Sequence, residues 1–280
     1  MREVAIVGAG ELGGAIAHAL ARRNLVRSIA LIDQSGDIAA GKALDITQAA
    51  PIEGFATRIR GSADTATAAG ADIIVLAERA QGGEWQGEEE LQLLGRLASS
   101  APAAVMLCSG PEQRLLVERG VQELKIRRER LVGTAPEALA AAARALVAVA
   151  ANASARDVAV TIVGVPPHHT VVAWEDATIG GFALTRQLDQ PTLRNVAGRL
   201  AGLWPPGPHA LAAATVKAIT GIAGRGHQIV SCFVGPETAA GIRCRAAALP
   251  VRFNSTGIAE VVAPAMSVAE RVALDNAMIL

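Results

Sequence analysis

The sequence predicts an α/β protein whose first half is a doubly wound parallel sheet and whose second half follows a different, mixed pattern. Three observations carry this. Short apolar runs alternate with amphipathic helical stretches from the N-terminus to about residue 134, the alternation that a parallel sheet with crossover helices requires. The first run, Val4 to Val7, leads directly into Gly8, Gly10 and Gly13. After a helical stretch over 136–151 the alternation stops, and adjacent strands, paired helices and a hairpin take its place.

Strands are expected near 3–8, 28–33, 57–61, 72–77, 103–108 and 130–134, with helices between most of them. At the first strand's end each glycine has a physical task. Gly8 turns the chain sharply, Gly10 lets backbone N–H groups approach a pyrophosphate, and Gly13 lets the next helix lie close to the sheet, with Ala17 and Leu20 inward. Asp33 lies 20 residues beyond Gly13 and closes the run Ile29 to Ile32, where a carboxylate can accept from both hydroxyls of an unphosphorylated ribose and would repel a 2′-phosphate. The set is a dinucleotide-binding fingerprint that favours NAD over NADP. Its candidate cofactor-binding residues are Gly8, Ala9, Gly10, Glu11, Leu12, Gly13 and Asp33. Glu11 suits the helix dipole yet faces the phosphates with a negative charge.

Beyond the helix of 136–151, strand-like runs at 157–164 and 170–174 adjoin. Helices near 190–203 and 208–223 are separated by the stiff turn Pro205, Pro206, Gly207, Pro208. A hairpin is expected over 227–248, a strand pair around 250–262, and a helix from Ser267, N-capped by that residue with Glu270 three positions on. The domain boundary falls close to residue 135, giving units of 1–135 and 136–280.

Composition narrows the function classes. With 51% hydrophobic and 19% charged residues the 280-residue chain can bury a substantial core. Lys plus Arg and Asp plus Glu balance at 26 each, so neither nucleic acid nor an anionic membrane is an expected partner. The one dense basic run, 125–130, reads as a solvated loop. Cys108, Cys232 and Cys244 are odd in number and widely spaced, which favours a reduced, cytoplasmic setting and no metal site. Glu137 and Arg144 interrupt the Ala-rich stretch 135–151, which reads as a soluble helix.

Residues 41–54 (GKALDITQAAPIEG), 61–64 (GSAD), 70–76 (GADIIVL), 130–134 (RLVGT), 174–181 (WEDATIGG) and 249–262 (LPVRFNSTGIAEVV) resemble the malate and lactate dehydrogenase family, the malate branch more closely. The resemblance implies a Rossmann domain followed by a mixed α/β substrate-type domain, NAD as cofactor, and a homodimer or homotetramer built through helices that include the GKALDI segment. It also implies hydride transfer with a 2-hydroxy acid, using a His as acid/base, an Asp to orient it, and Arg residues to clamp the carboxylate.

Those polar roles are emptied in this chain. The His position falls on Pro166, the Asp and Arg of the helix after RLVGT fall on Leu139 and Ala142, and the loop Arg falls on Glu90 within the acidic segment 81–91. The family's Thr-Asn-Pro becomes Ser109, Gly110, Pro111, and its Thr-Ala-Gly turn becomes Ala77, Glu78, Arg79, placing a side chain where backbone should approach the dinucleotide. Glu137 and Arg144 stand two residues from the expected sites, about 200° around the helix. The expectation is therefore an NAD(H)-binding protein of this family, with no assignable catalytic residue or substrate, that does not oxidise 2-hydroxy acids by the family's mechanism. Alternatives are a divergent NAD-dependent oxidoreductase acting on a less anionic substrate with His168 or His169 as base, and a structural subunit pairing with a true dehydrogenase.

Overall fold

The computed structural model describes residues 2–226, 228–237 and 245–279. The first half runs β1 (Arg2–Val7), α1 (Glu11–Arg22), β2 (Val26–Ile32), α2 (Gly36–Glu53), β3 (Arg58–Ser62), β4 (Ile73–Leu76), α3 (Gly87–Ser100), β5 (Val105–Cys108), α4 (Arg114–Gln122) and β6 (Leu131–Gly133). The second runs α5 (Ala135–Ala151), β7 (Val158–Ala159), β8 (Ile162–Val165), β9 (His169–Val172), β10 (Thr178–Ile179), β11 (Phe182–Ala183), α6 (Gln190–Leu200) and α7 (Pro208–Ile222). It closes with β12 (Val230–Val234), β13 (Ala247–Asn254), β14 (Gly257–Val261) and α8 (Val268–Ile279).

The first six strands are parallel in the order β3-β2-β1-β4-β5-β6, the doubly wound arrangement that the alternation predicts. The order reverses between β1 and β4, and the crevice beyond their C-terminal ends is where such sheets receive ligands. Both faces are covered. Along β1, Val4 and Ile6 join Ile16 and Leu20 of α1 in one apolar layer, while Ala5 and Val7 join Leu93 and Leu94 of α3 in the other.

The sheet continues into the second half, because β12 pairs antiparallel with β6, and β13, β8 and β9 follow on. A smaller sheet holds β11, β10 and β7. The strand expected over 157–164 is divided: β7 pairs with β10 in the small sheet and β8 with β9 in the large one, so the chain crosses between sheets at Val160 and Thr161. The helix expected over 190–203 leaves the α form at Leu200 and ends in a 3₁₀ turn over Ala201–Leu203. A 3₁₀ turn over Arg128–Arg130 likewise stands within the basic run. β12 and β13 form the expected antiparallel pair, with 238–244, and Cys244 among them, outside the described residues.

Glycine is required where the turn is tightest. Gly8 has φ +112° and its missing side chain would strike the Glu78 and Ala77 carbonyls; one on Gly13 would strike the Gly8 carbonyl. Before α8, the Ser267 N–H donates to Glu270 Oε2 at 2.7 Å and the Glu270 N–H to Ser267 Oγ at 3.3 Å, the reciprocal cap read from the sequence.

Candidate functional site

The turn between β1 and α1 gathers Gly8, Ala9, Gly10, Glu11, Leu12 and Gly13 beside the end of β4, with Asp33 just beyond β2. Ala9 and Leu12 are buried and Glu11 is exposed. Asp33 is only 2% exposed, and its carboxylate turns into the protein. Oδ2 accepts from the Ala9 N–H and the Ala80 N–H, both at 2.8 Å, and Oδ1 from the Ser35 N–H at 2.9 Å. Asp33 thus clasps three segments: the glycine turn, the start of the loop after β4, and its own strand's exit.

Glu78, just beyond the end of β4, reaches the same turn. The Leu12 N–H donates to its Oε1 at 2.6 Å and the Gly10 N–H to its backbone carbonyl at 3.1 Å. A side chain on Gly10 would collide with this carboxyl group. Oε2 is buried with no protein partner. Burial raises the carboxyl's pKa; the Leu12 hydrogen bond and nearby Lys42 act the other way, and Glu11 adds repulsion. Lys42 Nζ, from α2, donates to the Gly10 carbonyl at 2.5 Å.

The loop after Glu78 folds inward. The Arg79 guanidinium lies 4.9 Å over the buried Trp85 ring and donates to the Gly82 carbonyl at 3.1 Å. In the first turn of α3, Glu90 is 7% exposed. Glu84 occupies the space that a side chain on Gly110 would need, while the Gly110 N–H donates to Gln113 Oε1 at 2.9 Å. Glu84 Oε2 and Glu90 Oε1 are buried and unpartnered.

Burial pushes both carboxyls up, Glu84 to about 7 and Glu90 to about 8. Glu112 and Glu78 add repulsion at Glu84, and Glu84 does so at Glu90, where Arg119 opposes it. The folded chain then holds more protons than the unfolded one between the ordinary carboxyl value of 4.5 and about 8, so stability falls as pH rises through that window. Thermal melts are expected to show Tm declining by about 5 °C or more across it, with a smaller decline in Glu90→Gln. A Tm that rises over the same window, or an identical slope in the variant, would contradict this.

Of the residues on which the resemblance places the family's polar roles, Pro166 is buried in the turn after β8, and Leu139 lies in one apolar cluster with Val160 and Ile162. His168 and His169 are exposed at the β8–β9 turn, and among the described residues neither pairs with a carboxylate. Glu137 points away from Leu139's face as its helix phase requires, accepting from Arg144 Nη2 at 2.6 Å, Lys217 Nζ at 2.7 Å and the Ser231 N–H at 2.9 Å. Cys108 and Cys232 are buried and free, and burial pushes both thiols up. Among the described residues no group of His, Cys, Asp or Glu is placed to hold a metal ion, and no helix is long and apolar enough to cross a membrane.

Two placements went unread in the sequence: the inward turn of Asp33, and the contact of Glu78 with the helix N-terminus. The signal for the second is a charged residue immediately after the wholly apolar run Ile73 to Ala77.

Residues 2–99 match the family described as lactate/malate dehydrogenase, NAD binding domain. The malate dehydrogenase of Chlorobium phaeobacteroides is 26% identical, the match covering 98% of this chain and 94% of that protein. The L-lactate dehydrogenase of Kosmotoga olearia is 30% identical over 65% of this chain and 59% of its own length. Among solved structures, malate dehydrogenase from Salinibacter ruber superposes with a TM-score of 0.86 at 20% identity, covering 98% and 93% of the two chains. The lactate dehydrogenase of Cryptosporidium parvum, complexed with lactic acid and nicotinamide adenine dinucleotide, gives 0.87 at 21% identity over 99% and 94%.

NAD is the cofactor of the domain so matched. The backbone of the glycine turn suits a pyrophosphate, which in this fold sits at the N-terminus of the first helix. The side chains, as arranged, do not admit one. Glu78 already holds the Leu12 N–H and Asp33 the Ala9 N–H.

Proposed function

We propose that the chain is a member of the malate/lactate dehydrogenase family that keeps the NAD-binding fold matched over residues 2–99, performs no oxidation of a 2-hydroxy acid by the family's mechanism, and acts as a binding or regulatory protein. One observation carries the reading. Where the resemblance assigns a carboxylate-gripping Arg, this chain has Glu90, buried beside Glu84. A 2-hydroxy acid approaching these side chains would meet negative or protonated carboxyls, and would lack the bidentate cation that orients it. Pro166 offers no proton acceptor, and Leu139 offers no carboxylate to orient one. Loss of the acid/base alone removes about 10²- to 10⁴-fold in rate.

The same reading divides the chain into a cofactor unit, 1–135, and a substrate-type unit, 136–280, and assembles it as a homodimer or homotetramer. Support for assembly comes from α2, which carries the GKALDI segment and presents exposed Leu44 and Ile52.

The test is direct assay of NAD⁺ reduction with malate and lactate, and of NADH oxidation with the matching keto acids. No turnover above background is expected. Turnover that follows the protein through purification and scales with its concentration would overturn the proposal.

A further inference from the structure

We infer that Glu78 is an internal ligand for the pyrophosphate site, competing with the dinucleotide for the N-terminus of α1. This rests on the reading of residues 2–99 as an NAD-binding domain. The N–H groups at a helix start carry partial positive charge and select an anion. In this chain the anion is supplied from within: Glu78 Oε1 receives the Leu12 N–H at 2.6 Å. The contact also has a steric component, since Gly10, whose bare Cα makes room for phosphate in a fingerprint of this kind, here makes room for the Glu78 carboxyl group.

The contact holds the turn shut from several sides. Gly10 is tied to Glu78 through the backbone, Ala9 to Asp33, and the Gly10 carbonyl to Lys42. It is also incomplete. Glu78 Oε2 is buried without a partner, Glu11 repels the carboxylate from α1, and Glu84 lies near it in the following loop, while Lys42 is the cation that attracts it. A ligand with two phosphates offers more acceptor oxygens than one carboxylate, so it can displace Glu78 by rotating the side chain outward, with β1, β4 and α1 left in place. Affinity for the dinucleotide is lowered by the share of molecules in which Glu78 is seated.

The test compares the parent chain with Glu78→Ala and Glu78→Gln, using inorganic pyrophosphate and NADH as separate probes and thermal melts as a check of folding. Glu78→Ala is expected to bind both probes about 10- to 100-fold more tightly than the parent. Glu78→Gln keeps the volume and removes the charge, and is expected to fall between them. The amide resonance of Leu12 should also move on either substitution and on pyrophosphate binding. If Glu78→Ala folds but binds pyrophosphate no better than the parent, the inference fails, whether or not NADH binds. If it binds pyrophosphate more tightly while neither chain binds NADH, the inference stands and the NAD-binding reading falls.

Discussion

Asp33→Ala is expected to lower stability by about 3–5 kcal/mol, a cost of core magnitude at a position that a cofactor fingerprint would place on a binding surface. The carboxylate accepts three backbone N–H groups, and hydrogen bonds to a charged acceptor contribute roughly 1.5–3 kcal/mol each, though not additively. Alanine leaves the buried Ala9 N–H without its acceptor. The substitution Asp33→Asn is no rescue, because only one side-chain oxygen remains and the amide NH₂ would face a backbone donor. Melting of the ligand-free chain should therefore drop by about 10 °C in both variants. A change within about 1 °C would mean that Asp33 faces solvent and remains free for a ribose.

The second large effect is expected at Glu137, which is 3% exposed and receives Arg144, Lys217 and the Ser231 N–H. Removing one member of a buried ion pair costs about 3–5 kcal/mol. The lower end applies, because Arg144 and Lys217 keep partial access to water, with side chains 21% and 25% exposed. Glu137→Ala should thus lose about 3 kcal/mol. Glu137→Gln, which can still accept from Ser231, should lose about half of that. The network joins α5, α7 and β12, so the measurement is denaturant unfolding. A midpoint unchanged in Glu137→Ala would show the network to be unimportant to stability.

Much of the architecture was legible because its demands are local. A turn with positive φ at Gly8, close approach at Gly13, and the reciprocal Ser267–Glu270 cap are each settled within a few residues. The apolar face of α1 follows from its helical periodicity, and the two-sided burial of β1 from its unbroken apolar run Val4 to Val7. The parts that resisted depend on partners far along the chain. Spacing places a carboxylate at the end of β2, but whether Asp33 faces outward or clasps Ala80 depends on the path of a loop 47 positions away. Likewise, a side chain after β4 was foreseeable as an obstruction. Its seat on the Leu12 N–H depends on how the β4 exit packs against the glycine turn. The reading of Pro166, Leu139 and Glu90 as replacements of polar residues rests on the resemblance, since none of them carries a sign of vacancy in itself.

The antiparallel pairing of β12 with β6 has a consequence for association as well as for shape. Without β12, β6 would be an open strand edge, with backbone donors and acceptors free to recruit another chain. The second half therefore caps the first, and a severed first half would be prone to stick to copies of itself. At the opposite end no such cap is present on β3 among the described residues, and there the protection is electrostatic: Arg58 and Arg60, alternating along the outermost strand of the sheet, make a like-charged rim that discourages edge-to-edge docking.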